Sequence, residues 1–268
     1  MTSLHKHALK QYNSGFTLVE IAMVLFIITL LLGGLVPTIS AQLDQQRTRE
    51  TLKRMDDIQQ ALLGFAMVNG RLPCPARAAT ATGAANAGVE AMTVNSCACA
   101  AAGSTYADYT ANVCVNTTVT GVLPWVTLGL KETDAWDHRF TYRVTAYFAD
   151  KVPAYTTSCI PALTVATSPL ASSFAMCSPG DLYVKSSASG TAVASFVPVV
   201  FLSHGKNGYG AYTSAGTKLA NGSADEVENS DDNYNFVSKI TTSTFDDLVA
   251  WISPGILFNR MVTAGKLP

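Results

Sequence analysis

Gly15-Phe16-Thr17-Leu18-Val19-Glu20 opens a run that continues as Ile21-Ala22-Met23-Val24-Leu25-Phe26-Ile27-Ile28-Thr29-Leu30-Leu31-Leu32-Gly33-Gly34-Leu35-Val36. From Phe16 to Val36 there are 21 residues, and only Glu20 is charged. A helix of that length spans roughly 30 Å, about the thickness of a bilayer core. A carboxylate within such a run costs on the order of 3 kcal/mol in lipid, which marks Glu20 as a functional residue. Met1–Ser14, ahead of the run, is polar and has no core-forming pattern.

These residues resemble the N-terminus of type IV pilins and type II secretion pseudopilins. In that family a short polar leader ends in Gly, a Phe follows, and a Glu stands at the fifth mature position. Gly15, Phe16 and Glu20 match all three, and Pro37 falls where the family often carries a helix-kinking Pro. The resemblance implies a cut by prepilin peptidase between Gly15 and Phe16, then N-methylation of Phe16. The new amine, with a pKa of about 8, is mostly protonated at neutral pH. Glu20 then has a cationic partner, the Phe16 amine of a neighbouring subunit, and losing one member of a buried pair is costly. The resemblance further implies a structural subunit and not an enzyme. Its partners are other pilin or pseudopilin subunits and the inner membrane, which it spans once with its C-terminal domain in the periplasm.

Two other readings fit part of the stretch. In a cleavable signal peptide, Lys6 and Lys10 form the n-region, Ile21–Val36 the h-region and Ile39-Ser40-Ala41 the cleavage site. That h-region is long, and Glu20 has no purpose in it. In an ordinary anchor, the run tethers an unrelated periplasmic binding protein or enzyme; an adhesin-like tip subunit is compatible with the pilin stem. Arg47, Arg49, Lys53 and Arg54 after the run oppose the expected orientation, but large domains translocate largely regardless of charge.

The net charge of −1 provides no basic field for nucleic acid. Charged residues make up 14% of the chain, well below the roughly 25% of typical domains, which suits an exported surface. The six cysteines, Cys74, Cys97, Cys99, Cys114, Cys159 and Cys177, suit an oxidising compartment. Cys159 and Cys177 stand apart from the rest and are expected to pair. The other four have three connectivities open, with a direct Cys97–Cys99 bond disfavoured because i and i+2 in a strand lie roughly 7 Å apart.

Four segments follow: a leader (1–15), a membrane or filament-core helix (16–39), an amphipathic continuation (40–69) and a globular domain (70–268). Gly33-Gly34 and Pro37 predict a bend or local weakening. Leu52, Met55, Ile58, Leu62 and Phe65 recur every three or four residues and form one apolar stripe. Asn69-Gly70 ends the helix. Ala76–Gly103 reads as a disulfide-pinned loop, because Thr, Gly and Asn interrupt its alanines. Strands are expected at Phe140–Phe148, Asp181–Lys185, Phe196–Ser203 and Phe236–Thr242. Phe245–Ile252 reads as a short helix capped by Thr244 and ended by Ser253-Pro254-Gly255, with Ile256–Ala264 a last helix or strand. The fold class is α+β, a long N-terminal helix packed on an antiparallel sheet in the manner of pilins.

Asp134-Ala135-Trp136-Asp137-His138-Arg139-Phe140-Thr141-Tyr142 is similar to a segment of major pseudopilins, with Ala135 and Asp137 where Pro and Gly are usual. Phe201-Leu202-Ser203-His204-Gly205-Lys206-Asn207-Gly208 is similar to their strand and Gly-rich loop, after which a calcium loop often follows. The domain is longer than that of a typical major pseudopilin, which points to a minor or specialised subunit. Asp225-Glu226-Val227-Glu228-Asn229-Ser230-Asp231-Asp232-Asn233 has the oxygen donors calcium needs, with Asp225, Glu228 and Asp231 the first candidates. The competing reading is a solvated acidic loop. Ser203-His204 cannot form a nucleophile–base pair by adjacency, and Gly205–Gly210 reads as a turn and not a phosphate loop.

Overall fold

Thr17 sits at the start of the first helix, α1 (Leu18–Asn69), with Glu20 three residues on. The computed structural model describes residues 15–92, 97, 118–150 and 172–267, without the side chains of 32–39, 118–120 and 147. α1 continues through Gly33, Gly34 and Pro37. The chain divides into two compact units, one ending at Gln46 and one beginning at Arg47.

In the first unit the described apolar side chains from Phe16 to Leu31 lie exposed, Phe16 at 82%. Among the described residues no helix is long and apolar enough to cross a membrane. The expected span extends into residues 32–36, whose side chains are not described.

In the second unit α1 buries Thr51, Met55, Ile58, Leu62, Leu63 and Ala66. The stripe is rotated slightly from expectation. Leu52 is 47% exposed and Phe65 is half-buried, while Thr51 and Ala66 face inward. Asn69 and Gly70 end the helix: Gly70 takes φ 71° and its N–H donates to the Ala66 carbonyl at 2.8 Å.

The buried face of α1 meets an antiparallel four-stranded sheet. Its order is β1 (Thr118–Val122), β3 (Thr141–Thr145), β6 (Val199–Ser203), β9 (Leu248–Ile252). β6 is buried at every position, and its side chains divide by parity, as a strand's must. Val199 and Phe201 join the core of Met55, Ile58, Leu62, Tyr142 and Val144. Val200 and Leu202 join a second core with Leu182, Val184, Val197 and Phe236. That core is closed by a three-stranded sheet in the order β5 (Ala192–Val197), β4 (Leu182–Lys185), β8 (Asn235–Val237). Its β4–β8 pair is parallel. A two-stranded ribbon pairs β2 (His138–Arg139) with β7 (Tyr212–Thr213). The fold is therefore α+β, with an N-terminal helix and mainly antiparallel sheets.

Several expected elements shift. The Phe140–Phe148 strand shortens to β3 and gives way to α3 (Ala146–Ala149). Phe196–Ser203 divides at Pro198, which separates β5 from β6 and has no N–H to give to a ladder. Phe245–Ile252 is not a helix, because Leu248–Ile252 forms β9 on the open edge of β6. Val249, Trp251 and Ile252 suit a strand, and that tertiary partner outweighs the Thr244 capping signal. Ser253-Pro254 starts a helix instead of ending one. Ser253 Oγ accepts from Ile256 N at 3.4 Å, and α5 (Pro254–Thr263) buries Leu257 and Met261. Sequence reading also missed β1 and α2 (Trp125–Leu128).

Residues 76–92 form a turn-rich loop bridged to Val122, with no helix. A Cys74–Cys97 disulfide pins it, with a Cα–Cα distance of 5.4 Å. Arg71 adds a paired contact, its two terminal nitrogens each 2.8 Å from a Glu90 carboxylate oxygen. Cys177 is also disulfide-bonded. Cys99, Cys114 and Cys159 lie outside the described residues, so the expected Cys159–Cys177 bridge does too.

Candidate functional site

The first candidate region is the start of α1. A Cβ added at Gly15 would meet nothing within 4 Å, and Phe16 beside it is exposed. Thr17 N–H and Thr17 Oγ each donate to Glu20 Oε2 at 3.1 Å, and Glu20 N–H donates to Thr17 Oγ at 3.2 Å. This reciprocal exchange is a capping box, which satisfies two backbone donors that the helix cannot. Glu20 thus has a local role that the charge-pairing argument did not include. The Thr-x-x-Glu spacing of residues 17–20 already contained that signal.

The second region lies around the loop after β6. The acidic stretch after residue 222 is partly helical: α4 (Ala224–Glu228) is capped by Ser223, with Ser223 N–H donating to Glu226 Oε2 at 2.7 Å. The structure does not bring Asp225, Glu228 and Asp231 to one point. Asp225 takes a hydrogen bond from Lys239 Nζ and one from Ala188 N–H, which hold its carboxyl below the usual range. Glu228 faces Lys185 Nζ at 3.4 Å. Asp231 accepts from the backbone and side chain of Asn233.

The carboxylates that do converge are Glu226, Asp246 and Asp247, with one oxygen of each within 4.8 Å of the others. Sequence reading placed Glu226 in the loop and the two aspartates in a helix, so it missed the cluster. Asn207 links the cluster to the glycine loop, its Nδ2 donating to Glu226 Oε1 at 2.7 Å. Asp246 Oδ2 accepts from Lys206 N–H at 2.8 Å and Asn207 N–H at 3.0 Å. Asp247 Oδ2 accepts from Asn229 Nδ2 at 2.7 Å. Burial pushes the Asp247 carboxyl up to about 8 against the pull of Asn229, with Glu226 and Asp246 adding to the rise. Burial also raises Asp246, opposed by the two backbone donors.

His204 is fully buried behind Asp247, and Thr141 Oγ lies 2.8 Å from its Nε2. Burial lowers its pKa to about 3, with His138 and Lys218 adding to the fall and the Tyr209 backbone opposing it. The neighbouring Ser203 is held elsewhere, Oγ donating to Asp134 Oδ2 at 2.5 Å. Asp134 Oδ1 accepts from the N–H groups of Trp136 and His138, both at 2.9 Å, closing the 134–138 turn. Asp137 within it adopts φ 66°, in the left-handed region that favours glycine. Gly208 belongs to the same packing: a Cβ there would fall 2.3 Å from the His138 ring. Ser203 and His204 are thus occupied by separate structural partners.

No curated protein and no solved structure is significantly similar to the chain. Residues 10–36 match the family model described as the prokaryotic N-terminal methylation motif. With Gly15, Phe16 and Glu20 all inside that match, the chain carries the signature of type IV pilins and pseudopilins.

Proposed function

We propose that the chain is a minor or specialised structural subunit of a type IV pilus or type II secretion pseudopilus. Prepilin peptidase cuts it between Gly15 and Phe16, and the Phe16 amine is methylated. Before assembly the protein crosses the inner membrane once, through Phe16–Val36, with its C-terminal domain in the periplasm. The observation that carries this reading is the methylation-motif match over residues 10–36. The open surroundings of Gly15 and the exposed apolar residues after it support it, since a protease needs access and a filament core needs apolar contact. In the assembled state Glu20 pairs with the Phe16 amine of a neighbour and sets the axial register. Intact mass and N-terminal sequencing of protein purified from its host test the proposal. The expected mature chain begins at a singly methylated Phe16. A chain beginning near Gln42 would identify a secretory signal peptide and overturn it.

A further inference from the structure

We propose that Phe196, Tyr183 and Asn235 form a binding platform for a neutral saccharide. The row lies on the outer face of the β5–β4–β8 sheet, whose inner face closes the second core. Tyr183 stands opposite Asn235 in the parallel β4–β8 pair, and its ring centre is 5.6 Å from that of Phe196 on β5. Ring, ring and amide thus follow one another across three strands. Phe196 is 56% exposed, and Val193 on the same strand 59%. The platform belongs to the unit that begins at Arg47 and does not rest on the pilin reading.

The backbone is bent to present this row. Between the Leu182–Val197 and Val184–Ala194 pairs, β5 sets three residue steps against two of β4, a bulge of the kind that re-aims a side chain. Phe196 within the bulge has φ 57°, where a bulky residue is strained. Gly180 packs against it, since a Cβ there would fall 2.3 Å from the Phe196 carbonyl oxygen. Strain of this kind gathers where ligands are held, and here it fixes an exposed ring beside Tyr183.

The chemistry of the row selects the ligand. Among the described residues neither the Tyr183 hydroxyl nor the Asn235 side-chain amide has a hydrogen-bond partner. A pyranose has an apolar C–H face that packs on aromatic rings and a rim of hydroxyls that pair with a phenol and an amide. The surroundings are neutral. Residues 186–197 contain no charge, and Lys185 on β4 faces Glu228 at 3.4 Å. A single-stranded nucleic acid also stacks on rings, but it needs cations for its phosphates.

The test uses the full chain in a sugar-free zwitterionic detergent, titrated separately with cellohexaose, maltohexaose, mannohexaose and chitohexaose. Calorimetry is expected to give saturable binding of at least one of them, with one site per chain. Phe196→Gly and Tyr183→Ala should each weaken it about tenfold or more, the loss expected for a stacking ring. Tyr183→Phe keeps the ring and should weaken it less. Phe196→Gly also relieves the positive φ, so its melting temperature should equal or exceed the parent's, which separates lost binding from lost fold. If Phe196→Gly fails to fold, Asn235→Ala decides, with an expected loss of about fivefold. Three results would overturn the proposal: none of the four oligosaccharides is bound, binding is unchanged in every folded variant, or a dimer of the parent dissociates in Phe196→Gly, which would assign the face to a second copy.

Discussion

His204 Nδ1 and Asp247 Oδ1 face each other across 3.9 Å with both side chains fully buried, and neither atom has a hydrogen bond. An ion pair there would lose more hydration than its attraction returns. His204 is driven down to about 3 and Asp247 up to about 8, so both are predominantly neutral at pH 7.

The opposite shifts give the protein a defined pH response. The stability from neutral His204 is present above 6.5 and is lost as pH falls toward about 3. The stability from neutral Asp247 is full below 3.8 and is lost as pH rises to about 8. Between these limits the two slopes oppose each other, and above 6.5 only the Asp247 loss remains. Unfolding should therefore show a fall of about 2 kcal/mol between pH 6.5 and 8. Asp247→Asn should flatten that fall, and a parent profile already flat would contradict the assignment.

Arg139 is fully buried. It bonds Glu132, the carbonyls of Ala78, Thr80 and Ser214, and Thr82 Oγ, with its guanidinium 4.8 Å from the Trp125 ring centre. Arg139→Met removes the cation paired with Glu132 and the side-chain donor to the Ala78 and Thr80 carbonyls, and should cost about 3 kcal/mol or more. Arg139→Lys should recover little, since one ammonium cannot reproduce the fork. Thermal unfolding by circular dichroism measures both, and a lysine variant as stable as the parent would refute the fork argument.

The Cys74–Cys97 bridge spans 23 residues. Its removal by paired Ala substitutions should cost about 3 kcal/mol through the unfolded chain. Non-reducing peptide mapping should recover this bridge. The same map tests the pairing of Cys177 with Cys159, which a Cys177 peptide joined to Cys99 or Cys114 would exclude.

Glu20 forms a capping box with Thr17, and the proposed assembly role of its charge is separable from that cap. Glu20→Gln keeps a capping-box side chain but removes the charge. Filament incorporation should fall about tenfold or more in both Glu20→Gln and Glu20→Ala. Incorporation lost only in the Ala variant would assign the effect to the cap.

Local signals were legible wherever one element decides its own geometry. Asn69-Gly70 ended α1 where its chemistry required, and the apolar stripe of Met55, Ile58 and Leu62 became the core-facing side. Residues 248–252 were misread because their conformation depends on the open edge of β6, about fifty residues earlier in the chain. The carboxylate cluster escaped for the same reason. Asp225 and Asp231 are neighbours of Glu226 in sequence, but Asp246 and Asp247 become its neighbours only when β8 and β9 are in place. Ser223-x-x-Glu226 was a readable capping box hidden by its acidic surroundings.

The shared core of α1 and the C-terminal residues has a consequence for timing. Met55, Ile58 and Leu62 pack in one cluster with Ile252, Leu257, Met261 and Leu267. A chain delivered N-terminus first therefore presents its helix stripe long before the residues that cover it arrive. Contacts so distant in sequence form slowly, and the waiting apolar surface invites misassociation. A chain halted before β9 should stay sensitive to protease across residues 47–69, and protection should come only once residues 248–267 have joined that core.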